Sequence, residues 1–160
     1  MEFAEHRFTV SEVASLTETN LGTVQAWRRR GFFGLEQSEG WHRYTLEELF
    51  SIAVFAEVNA ACRDQQFASC VAYLARAFLG ELLQAKEQND FRPYLVGGPG
   101  GNEPILEVTY GARDVGRVLA ELIEGGADAG AFVVVDYSAI FARLFRRLEA
   151  GGYADQAGGV

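Results

Sequence analysis

The chain has two cysteines, Cys62 and Cys70, and two histidines, His6 and His42, and this scarcity closes off several chemistries. The cysteines lie eight positions apart on expected helix. That spacing is neither a zinc-finger nor a disulfide pattern, so they read as small packed residues. Both histidines fall in the N-terminal part, with no nucleophile and base pair or metal-spaced cluster beside them, so no enzyme, no metal and no cofactor are expected. No apolar run reaches membrane-spanning length, and MEFAEHRF lacks the basic and apolar regions of a signal peptide, so the expectation is a cytoplasmic chain with no membrane partner. Positive charge is short too: 14 Lys and Arg against 22 Asp and Glu leave a net charge of -8. Proteins that neutralise many phosphates are usually basic, which weighs against a nucleic-acid partner unless the positive charge is concentrated.

It is concentrated. Arg28, Arg29 and Arg30 are consecutive, Arg43 lies a short distance on, and Arg7 precedes them. A local basic edge on an acidic body can bind DNA, with weak non-specific affinity and reliance on a dimer. The alternative is a solvated helix end favoured by the helix dipole. With 160 residues and 49% hydrophobic content the chain can bury one good core or two small ones.

The stretch from Phe8 to Leu49 carries the pattern. Thr9, Val10, Ser11 and Glu12 spell a capping box that opens a helix at Val10, with Val13, Ala14 and Leu16 on its apolar face. Thr17 to Asn20 interrupt it with turn residues, and Asn20 caps a second helix. Leu21, Val24 and Trp27 face inward there while Thr23, Gln25, Ala26 and Arg28 point elsewhere, and Gly31 ends it. Phe32 to Leu35, a polar tip from Glu36 to Gly40, and Trp41 to Tyr44 read as a short hairpin, with Trp41 or Tyr44 packed and His42 or Arg43 outward. Thr45 and Glu48 form another capping box opening a helix through about Ala61, with Leu46, Leu49, Phe50, Ala53 and Val54 on one side. Two helices, a tight turn and a ribbon outline a winged helix-turn-helix.

Three pieces in order, FTVSEVA (Phe8 to Ala14), TVQAWRRRG (Thr23 to Gly31) and GWHRY (Gly40 to Tyr44) followed by TLEEL, resemble the DNA-binding domain of the MerR family over about a third of the chain. The resemblance implies a recognition helix at TVQAWRRRG and a wing at GWHRY. Where the family carries a DNA-contacting arginine and tyrosine, this chain has Gln25 and Ala26. Gln25 can pair with an adenine edge and Ala26 can meet a thymine methyl. The wing arginine is matched by His42, with Arg43 beside it. The glycine of the turn is replaced by Glu18, at a cost of ~1 kcal/mol if that residue is left-handed. Related winged domains, among them phage excisionases and small terminase subunits, show similar changes.

Beyond Ala61 the resemblance ends. After a break near Arg63 to Gln65, a helix from about Phe67 to Gln88 carries the stripe Phe67, Val71, Leu74, Phe78, Leu82, read as core ahead of a subunit seam. FRPYLV and ILEVTYG read as a hairpin around GGPGGNEP, ARDVGRVLAELIEGG as an amphipathic helix, AFVVVDY as the clearest buried strand, and SAIFARLFRRLEAGG as a closing helix. Gly97 to Gly101 read as a flexible hairpin loop in preference to a phosphate cradle, since no helix comes after them. Asp136 is the best lone candidate for an active-site acid, but capping the last helix is the preferred reading. The apolar face Ile140, Phe141, Leu144, Phe145 and Leu148 is expected to pair two subunits, with core closure or an effector pocket as alternatives.

The expected fold class is α+β: a winged helix-turn-helix over 1–62, a connecting helix over 63–89, a small β-β-α-β-α unit over 90–150 for dimerisation or sensing, and a flexible tail over 151–160. The expected function is a nucleoid-associated, sequence-specific transcription regulator acting on double-stranded DNA as a homodimer, with RNA polymerase or another protein as a further partner. Thr23, Gln25, Ala26 and Arg28 are expected in the major groove, and Arg29, Arg30, His42, Arg43 and Tyr44 against phosphates or the minor groove. The alternatives are an excisionase-like architectural or recombination factor, and a winged protein-interaction module that does not bind DNA.

Overall fold

The computed structural model describes residues 5–32, 41–85, 91–100, 103–127 and 131–153. The elements are α1 (Val10–Leu16), α2 (Leu21–Arg29), α3 (Leu46–Cys62), α4 (Gln65–Ala85), β1 (Pro93–Gly98), β2 (Ile105–Tyr110), α5 (Ala112–Glu124), β3 (Val133–Asp136) and α6 (Tyr137–Ala150). The class is α+β, and the C-terminal elements keep the expected strand, strand, helix, strand, helix order.

The helix ends lie where side chains can satisfy their orphan N-H groups. At α1, Glu12 N donates to Thr9 Oγ1 at 3.2 Å while Thr9 N donates to Glu12 Oε2 at 2.6 Å. At α3, Thr45 and Glu48 repeat the arrangement at 3.1 and 2.8 Å. Asn20 Oδ1 accepts from Gly22 N at the start of α2, and Gly31 leaves that helix with φ of 68°.

α3 organises the core. Leu46, Leu49, Phe50, Ile52, Ala53, Val54, Phe55 and Val58 are all buried, so the helix is enclosed on most of its circumference and not only on the one expected side. Trp27 of α2 meets Phe55 edge-on at 4.7 Å, and Phe50 meets Phe141 of α6 at 5.8 Å. α4 packs along another side, its Phe67, Val71, Phe78 and Leu82 buried as core residues. The buried Tyr137 hydroxyl at the head of α6 donates to Val71 O at 3.0 Å. One apolar cluster thus runs without a break from Phe8 to Leu148.

The strands form an antiparallel sheet in the order β2-β1-β3. Leu95 of the central strand joins the main core, whereas Tyr94 and Val96 are buried outside that cluster, on the face that α5 covers through Val118. β1 is therefore the fully buried strand. The Phe132 to Val135 run, expected to be the clearest buried strand, contributes an edge strand with Val134 46% exposed. The reason is placement: Val134 pairs with Val96 from the edge of the sheet, while α5 packs chiefly on β1 and β2.

Two further expectations are corrected. Gly97 and Gly98, assigned to a flexible loop, are the last residues of β1, paired with Leu106 and Ile105. A Cβ on Gly97 would fall 2.1 Å from the Ile105 carbonyl oxygen, so glycine is needed there for close approach and not for looseness. The apolar face of α6 is buried within the same chain, with none of Ile140, Phe141, Leu144, Phe145 and Leu148 more than 6% exposed, and so is not open to a second subunit. It is held there because α3, α4 and β1 all pack on this helix. Among the described residues no helix is long and apolar enough to cross a membrane.

Candidate nucleic-acid interface

α2 sorts its residues by the 3.6-residue period. Val24 and Trp27 enter the core, while Gly22, Gln25 and Arg29 lie exposed on the other face, and Leu21, expected inward, is exposed at the first position of the helix. Thr23, Ala26 and Arg28 sit between the two, half-buried. Arg30, the C-cap, is exposed, so Gln25, Arg29 and Arg30 are the expected contact residues of this helix most open to a ligand.

The hairpin expected from Phe32 to Tyr44 falls largely on residues 33–40, outside the described residues. Its far side, from Trp41 to Tyr44, lies within them. Tyr44 is 1% exposed, against its expected place at the DNA surface. Its backbone is bridged to Phe8 in both directions at 2.8 Å, which draws the ring into the core. Burial raises the Tyr44 phenol above its ordinary pKa, and the neighbouring Arg28 charge opposes that rise while Glu48 adds to it. Tyr44 is thus where the end of α2 meets the start of α3. Arg28 turns part of its charge toward this junction.

His42 stands edge-on to Tyr44 at 4.6 Å, with Nε2 at 3.3 Å from Glu48 Oε1. It is held by the carboxylate that also caps α3, whereas Arg43 beside it is exposed, its Nη1 3.5 Å from Arg7 O. The exposed cations of this region are therefore Arg29 and Arg30 at the end of α2 and, beside one another, Arg43 and Arg7. Trp41 is fully exposed, so of the two aromatics either of which was expected to pack, Tyr44 is the one that does.

The turn between α1 and α2 has a support that the sequence pattern did not reveal. Glu18 adopts the left-handed conformation, φ 52°, at the position where the resemblance implies glycine. Arg147 of α6 reaches across to it, donating to Leu16 O at 2.9 Å and placing Nη2 2.7 Å from Glu18 Oε2. The contact spans more than a hundred residues of sequence, so no local signal could have found it. Arg143, one turn earlier, pairs with Glu57 of α3.

Among the described residues no group of three or more His, Cys, Asp or Glu is placed to hold a metal ion. Asp136 caps α6, its Oδ1 accepting from Ala139 N at 2.9 Å. The fold thus presents a capped helix pair whose second helix has a polar outer face, on an α+β body. Comparison with protein-family models and with curated proteins gives no match.

Proposed function

We propose that the protein is a sequence-specific DNA-binding transcription regulator that inserts α2 into the major groove. The observation carrying this reading is the division of α2: Val24 and Trp27 fix it to the core while Gln25, Arg29 and Arg30 stand exposed on and beside its outer face. Gln25 is the base reader on this reading, because its amide can pair bidentately with an adenine edge. Arg29, Arg30, Arg43 and Arg7 hold phosphates, and the remaining acidic surface keeps non-specific affinity low. The MerR-like segments support the same assignment, with two copies acting on a two-fold site in the nucleoid. Since the apolar face of α6 is used within the chain, pairing would use another surface.

Selection from a randomised duplex library at two salt concentrations tests the proposal. One salt-sensitive motif is expected, palindromic if two copies bind. Arg43→Ala should weaken binding to every sequence and reduce the salt slope by about 1, while Gln25→Ala should relax preference at a single base pair. If no motif is enriched at either salt, or both variants bind as the parent does, the groove assignment is wrong.

A further inference from the structure

α6 lines a cleft of about 500 Å³, bordered also by the C-terminal turn of α4 and by the residues just ahead of β1. Its size is within the range of roughly 300–1,000 Å³ of small-molecule sites. Its apolar lining is the half-buried Phe91 ahead of β1 with Ala85, Ala139 and Ala142, over the nearly covered edges of Phe141 and Phe145, whose rings lie 4.3 Å apart.

Charge marks the rim. Arg92, Arg143 and Arg146 border the cleft together with Asp136 and Glu149. Asp136 is engaged in capping α6 and Arg143 is paired with Glu57. Arg92 and Arg146 are exposed and, among the described residues, enter no ion pair. A guanidinium beside aromatic walls is suited to an anionic head on an apolar body, since it can bind a carboxylate bidentately while the body displaces water from the rings.

We propose that this cleft binds a small amphipathic carboxylate, its head held by Arg92 and Arg146 and its apolar part seated on Phe91, Phe141 and Phe145. With Arg143 matched by Glu57, the acids of the rim offset Arg92 and Arg146, and a rim without surplus positive charge suits a monovalent carboxylate better than a divalent phosphate. The site is independent of DNA binding. If the chain also binds DNA, the ligand rests on the helix whose Arg147 holds the turn ahead of α2.

Calorimetric titration of the full chain without DNA tests the site, using decanoate, decanol, decyl phosphate and sulfate as probes. Decanoate should bind saturably, once per chain, and at least tenfold more tightly than any of the other probes. The double substitution Arg92→Gln with Arg146→Gln should weaken it at least tenfold, and Ala142→Trp, which fills the cleft from its exposed side, should abolish it. Absence of saturable decanoate binding, equal binding of decanol, tighter binding of decyl phosphate, or retention of affinity in the double variant would each overturn the proposal. Thermal melts of the variants verify that they fold. Because no DNA is present, failure here leaves the DNA-binding proposal standing, and failure to select a DNA motif leaves this one standing.

Discussion

Among the described residues two other than glycine carry left-handed backbone, Glu18 at φ 52° and Arg63 at φ 56°, and their surroundings differ. Arg63 closes α3 as its C-cap and is in no ion pair among the described residues. Arg63→Gly should therefore stabilise the protein by about 0.5–1 kcal/mol, the left-handed strain outweighing the added freedom of the unfolded chain. Glu18→Gly relieves the same strain but gives up the Arg147 ion pair, so its gain should be smaller by a few tenths of a kcal/mol, roughly the worth of an exposed pair. Parallel urea titrations of the two variants check the difference, and a larger gain at Glu18 would mean that the pair contributes nothing.

Tyr137 makes a prediction about pH. Burial pushes its phenol well above the ordinary value of about 10, so the folded state favours the neutral form and the unfolded chain ionises first. The stability it contributes is intact below about pH 10 and declines as pH climbs beyond that, by up to about 1.4 kcal/mol per pH unit. Tyr137→Phe should lose about 1 kcal/mol at neutral pH, where the bond to Val71 O is missing, yet show a shallower alkaline decline than the parent. Denaturant midpoints measured from about pH 7 to 11, a window bracketing the ordinary phenol value, would show the two curves converging.

At the scale of elements, what the sequence made legible was local. Thr9 with Glu12, Asn20, and Thr45 with Glu48 each bind N-H groups within three residues of themselves, so pattern alone located the starts of α1, α2 and α3. The order of elements in the C-terminal half was legible for the same reason, since period and turn residues act over short spans. Misread features depended on distant partners. The strand character of Gly97 comes from its pairing with Leu106, the exposure of Val134 from where α5 lies, and the burial of Tyr44 from Phe8. In the candidate site, the exposure of Gln25, Arg29 and Arg30 agreed with the period of α2, whereas the engagement of His42 by Glu48 had no such signal.

The link from α6 to the turn belongs to this scale as well. Arg147→Ala removes both the bond to Leu16 O and the ion pair to Glu18, while Glu18→Ala removes only the latter. Arg147→Ala should cost about 1–2 kcal/mol and exceed Glu18→Ala by about 1 kcal/mol. Hydrogen exchange should show the extra loss at the amides around Glu18; protection unchanged there would mean that α6 does not hold the turn.

Over the whole molecule, the apolar cluster from Phe8 to Leu148 joins the helix pair, α3, α4 and α6 without an intervening polar seam. Thermal unfolding should accordingly be one cooperative transition, with tryptophan fluorescence, which reports on Trp27 and Trp41, coinciding with far-ultraviolet circular dichroism. Two separated transitions would show that the halves are independently stable.

The enclosure of α3 reaches beyond stability. In a modular regulator the reading head can be cut away and joined to another sensor. Here Phe50 and Phe55 sit on one helix and meet α6 and α2 respectively, so a chain severed after Cys62 would bare an oily flank to water. If the helix pair reads DNA as proposed, such a head would not be portable, and a change of specificity would arise by substitution within this chain rather than by exchange of parts.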